Sequence, residues 1–161
     1  TAFVSALPVP QQRVDQPFAE RGEEVFQSVG CVSCHVETVG PAEGVYSDLL
    51  LHDMGPGLSD AGFGYAQVAP SELVAVAQEW RTPPLWGIRD SAPYLHDGRA
   101  DTLDDAIRLH GGEAEFVVAG WKALTAEDQT ALDSFLRSLT APEPTVAWDT
   151  MNAVGPSGLE E

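Results

Sequence analysis

The chain has 161 residues, 43% of them hydrophobic, which is enough apolar surface for one domain with a core of its own. Its 8 Lys and Arg stand against 25 Asp and Glu, a formal net charge of −17, and that balance excludes nucleic acid as a partner because phosphate binding needs a basic surface. No apolar run reaches the ~18 residues that a membrane-spanning helix needs, so no span is expected.

Residues 1–16 hold Pro8 and Pro10 without a periodic apolar pattern and read as an extended N-terminal segment. A helix is predicted from Pro17, which suits a first turn. Phe18, Gly22, Val25, Phe26 and Val29 follow at helical spacing, and Gly30 closes it. Next comes Cys31-Val32-Ser33-Cys34-His35, which contains both cysteines of the chain. Cys-x-x-Cys-His is the pattern of covalent c-type haem attachment: two thiols add across the vinyl groups, and the adjacent imidazole reaches the iron. All three residues lie within about one helical turn, so they meet one edge and one face of a single porphyrin. The competing readings are a disulfide beside an unrelated histidine, a thioredoxin-like motif and a zinc site. A thioredoxin-like motif wants a βαβ context that is missing, and a zinc site wants about four ligands, which no second cysteine pair supplies. One haem c anchored by Cys31 and Cys34, with His35 as proximal ligand, is therefore expected. Such haem is attached outside the bacterial cytoplasm, and the chain begins at Thr1 rather than Met, so a periplasmic protein with its signal peptide removed is expected.

Residues 36–70 are rich in glycine and proline (Pro41, Gly44, Gly55, Pro56, Gly57, Gly62 and Gly64) and read as a long loop wrapped around a haem, with a short ordered piece at 46–53. A short helix is predicted over 71–78, capped by Ser71. Residues 79–99, with Pro83, Pro84 and Pro93, read as irregular. A helix is predicted over 102–110, capped by Asp101 or Thr102, with Leu103, Ala106, Ile107 and His110 on one face and Gly111-Gly112 as its stop. The last helix is predicted over 126–139, with Thr125 as cap, Asp128 at the capping-box position and Leu132, Phe135, Leu136 and Leu139 as its buried stripe. Residues 141–161 carry Pro142, Pro144 and Pro156 and end in Glu160-Glu161, a proline-rich acidic tail. The domain proper is thus 17–140.

The sixth iron ligand decides the chemistry, since a second protein ligand makes an electron carrier and an open face permits peroxide or oxygen chemistry. Met54, Met151, His52, His96 and His110 are the candidates. Met54 sits in a glycine-rich loop, 19 residues after His35. His110 ends a capped helix with its face toward Ile107. Arg81 suits a haem propionate because guanidinium binds carboxylates bidentately. Arg99 suits the same role or pairs with Asp97 or Asp101. Trp80 and Trp86 read as pocket walls, or equally as core. His96 reads as a hydrogen-bonded structural or propionate residue rather than a ligand.

In class I cytochromes c the first helix carries a small residue and an aromatic just before the haem motif and crosses the last helix there. Gly22 and Phe26 resemble that pair, which implies a mainly α, class I cytochrome c-like fold with long haem-wrapping loops and extended termini. A second resemblance is more specific. Trp80-Arg81-Thr82-Pro83-Pro84-Leu85-Trp86, Ala92-Pro93-Tyr94-Leu95-His96-Asp97-Gly98-Arg99 and Thr102-Leu103-Asp104-Asp105-Ala106 resemble the C-terminal haem domain of bacterial di-haem cytochrome c peroxidases. Ser47-Asp48-Leu49-Leu50-Leu51-His52-Asp53-Met54-Gly55 and His110-Gly111-Gly112-Glu113-Ala114 resemble the related di-haem (thiol) oxidoreductases. In the peroxidase branch the distal methionine of the high-potential haem follows the histidine of the Pro-Tyr-x-His-Asp-Gly motif by 14 residues, and that spacing from His96 falls on His110. The resemblance therefore implies a His35/His110 haem with Met54 packed against it, Met54 remaining the alternative ligand.

The family has two haem motifs and this chain has one. Its peroxide-cleaving residues belong to the other half, so the resemblance carries over electron transfer and not the enzymatic step. The expectation is a single-electron carrier whose acidity steers it to a basic docking patch on a redox partner, or simply keeps it in solution, and which belongs to a larger redox complex or works alone. The alternatives are the haem domain or subunit of a peroxidase or oxidase with a labile or open sixth ligand, and a gas sensor.

Overall fold

The computed structural model describes residues 11–12, 18–59 and 77–141. Among these it has four α-helices and two small antiparallel sheets: β1 (Gln11–Gln12), α1 (Ala19–Val29), β2 (Leu51–Asp53), β3 (Glu79–Arg81), α2 (Leu103–Leu109), α3 (Glu115–Lys122), α4 (Ala126–Ser138) and β4 (Leu139–Thr140).

α1 buries Ala19, Gly22, Val25 and Phe26 on one stripe. The predicted start at Pro17 lies outside the described residues; the helix proper begins after Phe18, which takes a left-handed φ of 64°. Gly30 ends it with φ 102°, a conformation that costs glycine nothing, and its N–H closes on Gln27 O and Phe26 O. The chain then tightens into a 3₁₀ turn at Cys31–Ser33.

α4 starts where the capping-box reading put it. Thr125 Oγ1 accepts the Asp128 N–H at 3.1 Å. It buries Ala131, Leu132, Phe135, Leu136 and Ser138. α1 and α4 cross at Gly22, where glycine leaves room for the opposing backbone. Just beyond the crossing, Phe26 and Phe135 rings meet at 5.2 Å between centroids. Tyr46, Leu85, Tyr94, Leu103, Ala106, Trp121 and Leu139 complete one apolar cluster around that pair.

α2 runs one residue shorter at each end than the predicted 102–110. Thr102 rather than Asp101 is its cap, accepting from Asp105 N–H, and His110 follows as the C-cap residue. α3 is an element that patterning did not reveal. It begins at Glu115, with no side-chain cap from Ala114, and buries Val118 and Trp121, with the Arg108 guanidinium 5.2 Å from the Trp121 ring.

Residues 79–99 are not wholly irregular. Glu79–Arg81 pairs with β2 in the register Leu51↔Arg81, His52↔Trp80 and Asp53↔Glu79. The other short sheet joins β1 to β4, Gln11↔Thr140 and Gln12↔Leu139. The predicted helix over 71–78 falls on residues that, up to 76, lie outside the description, as do most of the 1–16 segment and the tail beyond 141. No described helix is long and apolar enough to cross a membrane.

Candidate functional site

The loop after the motif folds back on it. Asp48 N–H donates to Cys34 O at 2.8 Å, Ser47 N–H to Val36 O at 2.8 Å and Val45 N–H to Glu37 O at 2.7 Å. Ser47 is fully buried, and its hydroxyl donates to Thr82 O at 2.7 Å. The chain from 45 to 48 is thereby pinned beside residues 31–37, which brings the Tyr46 carbonyl to the His35 ring.

Cys31 and Cys34 are free thiols, both half-buried. Burial pushes the Cys31 thiol up to about 12. Burial, with the Asp48 and Glu113 charges behind it, also raises Cys34. His35 Nδ1 lies 2.9 Å from Tyr46 O. A carbonyl oxygen only accepts, so Nδ1 carries the proton there. Burial pushes the His35 pKa down to about 4, which keeps the ring neutral and leaves a lone pair on Nε2. The Phe26 ring flanks it at 6.4 Å between centroids.

His110 is built the same way. Its Nδ1 donates to Ala106 O at 2.7 Å, one turn back along α2. Burial lowers its pKa too, so it also offers a neutral Nε2. The two rings are close enough that a charge on His110 disfavours one on His35. Two free thiols and the neutral His35 imidazole fit the anchors and proximal ligand of a covalent haem, and the neutral His110 imidazole is a donor that could take its other face.

Met54 belongs to the same neighbourhood. A Cβ on Gly111 would stand 2.8 Å from Met54 O, so the chain after His110 lies directly on the chain at Met54. The structure thus brings both distal candidates of the sequence reading to adjacent segments. Met151 lies outside the described residues.

The other sequence candidates are engaged as follows. His52 Nε2 lies 2.8 Å from Asp48 Oδ2, and its Nδ1 lies 2.8 Å from Glu113 Oε2. The Glu113 hydrogen bond comes first among the causes that raise its pKa, with Asp48 adding to it. Both nitrogens then donate to carboxylates, and the ring has no lone pair for iron. Cys34, Asp48 and His52 offer ligand atoms within 4.8 Å of one another. Within that cluster both ring nitrogens of His52 are already held by carboxylates. His96 stacks on Trp80 at 3.7 Å and 12°. Trp80 Nε1 donates to Leu58 O at 2.7 Å. Arg81 donates to Leu49 O at 2.6 Å and its residue is exposed. Trp86 is 42% exposed, with Nε1 donating to Gly44 O. Arg99 donates to Asp97 and to Gly57 O.

Sequence reasoning assigned no role to Asp48, Glu113 or the Tyr46 and Ala106 carbonyls. Asp48 and Glu113 stand inside motif runs flanking His52 and His110, but nothing in their spacing indicates that they share one histidine.

The family model described as "Di-haem oxidoreductase, putative peroxidase" matches residues 2–139. The chain is similar to the methylamine utilization protein MauG of Methylorubrum extorquens, 30% identical over 98 residues, covering 59% of this chain and 26% of that protein. It is similar to the cytochrome c551 peroxidase of Nitrosomonas europaea, 28% identical over 124 residues, covering 76% of this chain and 34% of that one. A solved structure of hydrazine synthase from Kuenenia stuttgartiensis shares the fold with a TM-score of 0.53 at 22% identity, over 83% of this chain and 51% of that one. The chain spans about a quarter to a third of the length of the curated relatives it matches.

Proposed function

The chain belongs to the di-haem oxidoreductase family, and on that premise we propose that residues 17–140 form a class I cytochrome c-like domain that carries one covalent haem and passes single electrons between redox proteins. Cys31 and Cys34 are the thioether anchors, His35 the proximal ligand and His110 the distal one. The observation that carries this reading is the matched pair of histidines. Each commits Nδ1–H to a backbone carbonyl, Tyr46 O or Ala106 O, so each ring is held in one orientation with Nε2 available.

Bound there, haem c supplies a one-electron iron couple, with a lower potential under two imidazoles than under imidazole and thioether. The protein's part is to keep both rings neutral by burial, to hold their tautomers, and to exclude water with Phe26 and the core behind it. Arg81 and Trp86 serve the propionate and wall positions. The net charge of −17 orients the domain toward a basic patch on its partner. One attachment motif in these 161 residues means one haem in this stretch of chain. The setting is periplasmic, with 1–16 as an N-terminal segment whose Gln11–Gln12 pairs with β4, and 141–161 as the C-terminal tail. One relative is named as a subunit, hydrazine synthase subunit gamma, which supports work within a larger redox complex.

A second reading has a specific motive, because two of the relatives are named as peroxidases. In it the same domain serves a peroxidase or oxidase, with a distal ligand that is labile.

The optical spectrum of the purified holoprotein, in both oxidation states and with carbon monoxide, tests the choice. A low-spin spectrum without the red methionine-to-ferric charge-transfer band, and without a carbon monoxide adduct, is expected. That charge-transfer band would move the distal role to Met54. A high-spin spectrum with ready carbon monoxide binding would overturn the carrier reading in favour of the second.

A further inference from the structure

The segment carrying His35 and the segment carrying His110 are joined by one side chain that belongs to neither. Asp48 is fixed to the motif by its N–H on Cys34 O at 2.8 Å. Its carboxylate accepts from His52 Nε2 at 2.8 Å and, through the other oxygen, from Leu50 N–H at 2.9 Å. The opposite nitrogen of His52 reaches Glu113 Oε2 at 2.8 Å, and Glu113 Oε1 accepts Asp53 N–H at 3.1 Å. The side chains of His52 and Asp48 are only 16% and 13% exposed, so water screens the inner half of this bridge weakly. The Glu113 side chain is 57% exposed and holds chiefly by its two-point contact.

The backbone beneath the bridge is equally constrained. Gly112 has φ +53°, and a Cβ there would come within 2.2 Å of Asp53 O and 2.6 Å of Gly55 N. The chain directly after His110 is therefore laid flat on residues 53–55, and Glu113 locks it there. His110 sits between this lock and its own Nδ1 bond to Ala106 O.

We propose that His52 is a positioning residue for His110: bridged to Asp48 and Glu113, it ties the chain leaving His110 to the chain leaving the Cys31–His35 motif and so holds the distal imidazole on the iron. This assignment rests on the haem reading above. Both ring nitrogens of His52 are held by carboxylates, those of Asp48 and Glu113. The bridge acts by limiting how far the 110–113 segment swings, and therefore how often the distal position opens. Charge-assisted hydrogen bonds fixed at both ends suit that task because each is about twice as strong as a neutral one.

The test compares wild-type holoprotein with His52→Gln, Glu113→Gln and Asp133→Asn. Glu113→Gln keeps an oxygen for Asp53 N–H and changes an exposed residue, so the fold is retained. Asp133→Asn takes the charge out of the Arg137 contact at 2.7 Å on α4, away from the site, as a control for general loosening. Carbon monoxide association to the reduced protein and amide hydrogen exchange at residues 110–114 are measured. With the two bridge variants, both are expected to rise by about tenfold, the scale of losing one charged hydrogen bond. The control is expected to match wild type in both. A carbon monoxide-inert wild type whose two bridge variants are equally inert, with unchanged exchange, overturns this assignment alone. A wild type that takes carbon monoxide freely overturns the His110 ligation proposed above and this assignment with it.

Discussion

A Cβ on Gly22 would sit 2.0 Å from the Ala131 carbonyl oxygen and 2.6 Å from Phe135 Cβ, so at this point α1 and α4 meet backbone to backbone. Carbonyl oxygen in the middle of a helix has nowhere to retreat. Gly22→Ala is expected to force the helices apart and to lose at least about 2 kcal/mol, the scale of overpacking a tight core. Denaturant unfolding followed by circular dichroism measures it. The loss also separates Phe26 from Phe135, and Phe26 flanks His35, so the aromatic near-ultraviolet signal should fall with the stability. A variant as stable as wild type would mean that the crossing is looser than this contact implies.

His110→Met replaces one neutral nitrogen donor with a thioether. With His110 as the distal ligand, the potential is expected to rise by on the order of 0.1 V, within the ~0.8 V range that axial ligands span. The methionine-to-ferric charge-transfer band should appear where wild type has none. Spectroelectrochemical titration reads both at once. An unchanged potential with an unchanged spectrum would remove His110 from the iron and leave Met54 as the ligand.

Helices α1 and α4 were legible in the sequence because each combines an apolar stripe with an explicit end signal: Gly30 for one, and Thr125 with Asp128 for the other. α3 lacked that punctuation. It starts at Glu115 with no capping side chain on Ala114, shortly after a glycine pair that reads as a stop. The β2–β3 pair was illegible for another reason. Three residues are too few to display alternation, and Glu79-Trp80-Arg81 is mostly polar. At the site, the motif announces Cys31, Cys34 and His35 because it is contiguous. The groups that orient the two histidines are backbone carbonyls, which carry no residue signature. The His52 bridge joins positions 61 residues apart, and only the fold brings them together.

Acid should weaken the α1–α4 crossing in a defined direction. Arg21 donates Nε and Nη2 to Asp128 Oδ1 at 3.0 and 2.8 Å. The Arg21 hydrogen bond first, then that of Thr125, holds the Asp128 carboxyl below its ordinary value of 3.8. A carboxylate depressed in the native state stabilises the fold fully at pH above its unfolded value and loses that contribution as pH falls through its native one. Asp128→Asn is therefore expected to be slightly less stable than wild type at neutral pH. The gap, small because the pair is exposed, should close below the ordinary aspartate range. Thermal unfolding of both proteins across that range checks it. A gap that persists in acid would assign the effect to the cap geometry instead of the charge.

Thr102 links helix stability to the distal ligand. Its Oγ1 accepts Asp105 N–H at 3.1 Å and donates to Asp105 Oδ2 at 2.7 Å, capping a helix of seven residues. So short a helix has little stability apart from its cap and the burial of Leu103 and Ala106. Thr102→Ala is expected to cost about 1 kcal/mol. Because Ala106 O holds the His110 ring, fraying should reach the distal side, and carbon monoxide association should quicken along with the loss of stability. Thr125→Ala removes an equivalent cap from α4 and should cost a similar amount without altering carbon monoxide reactivity. Measuring both variants separates the two effects. Equal stability losses with no difference in carbon monoxide rate would confine the Thr102 cap to folding and leave the orientation of His110 to the Gly111–Glu113 side alone.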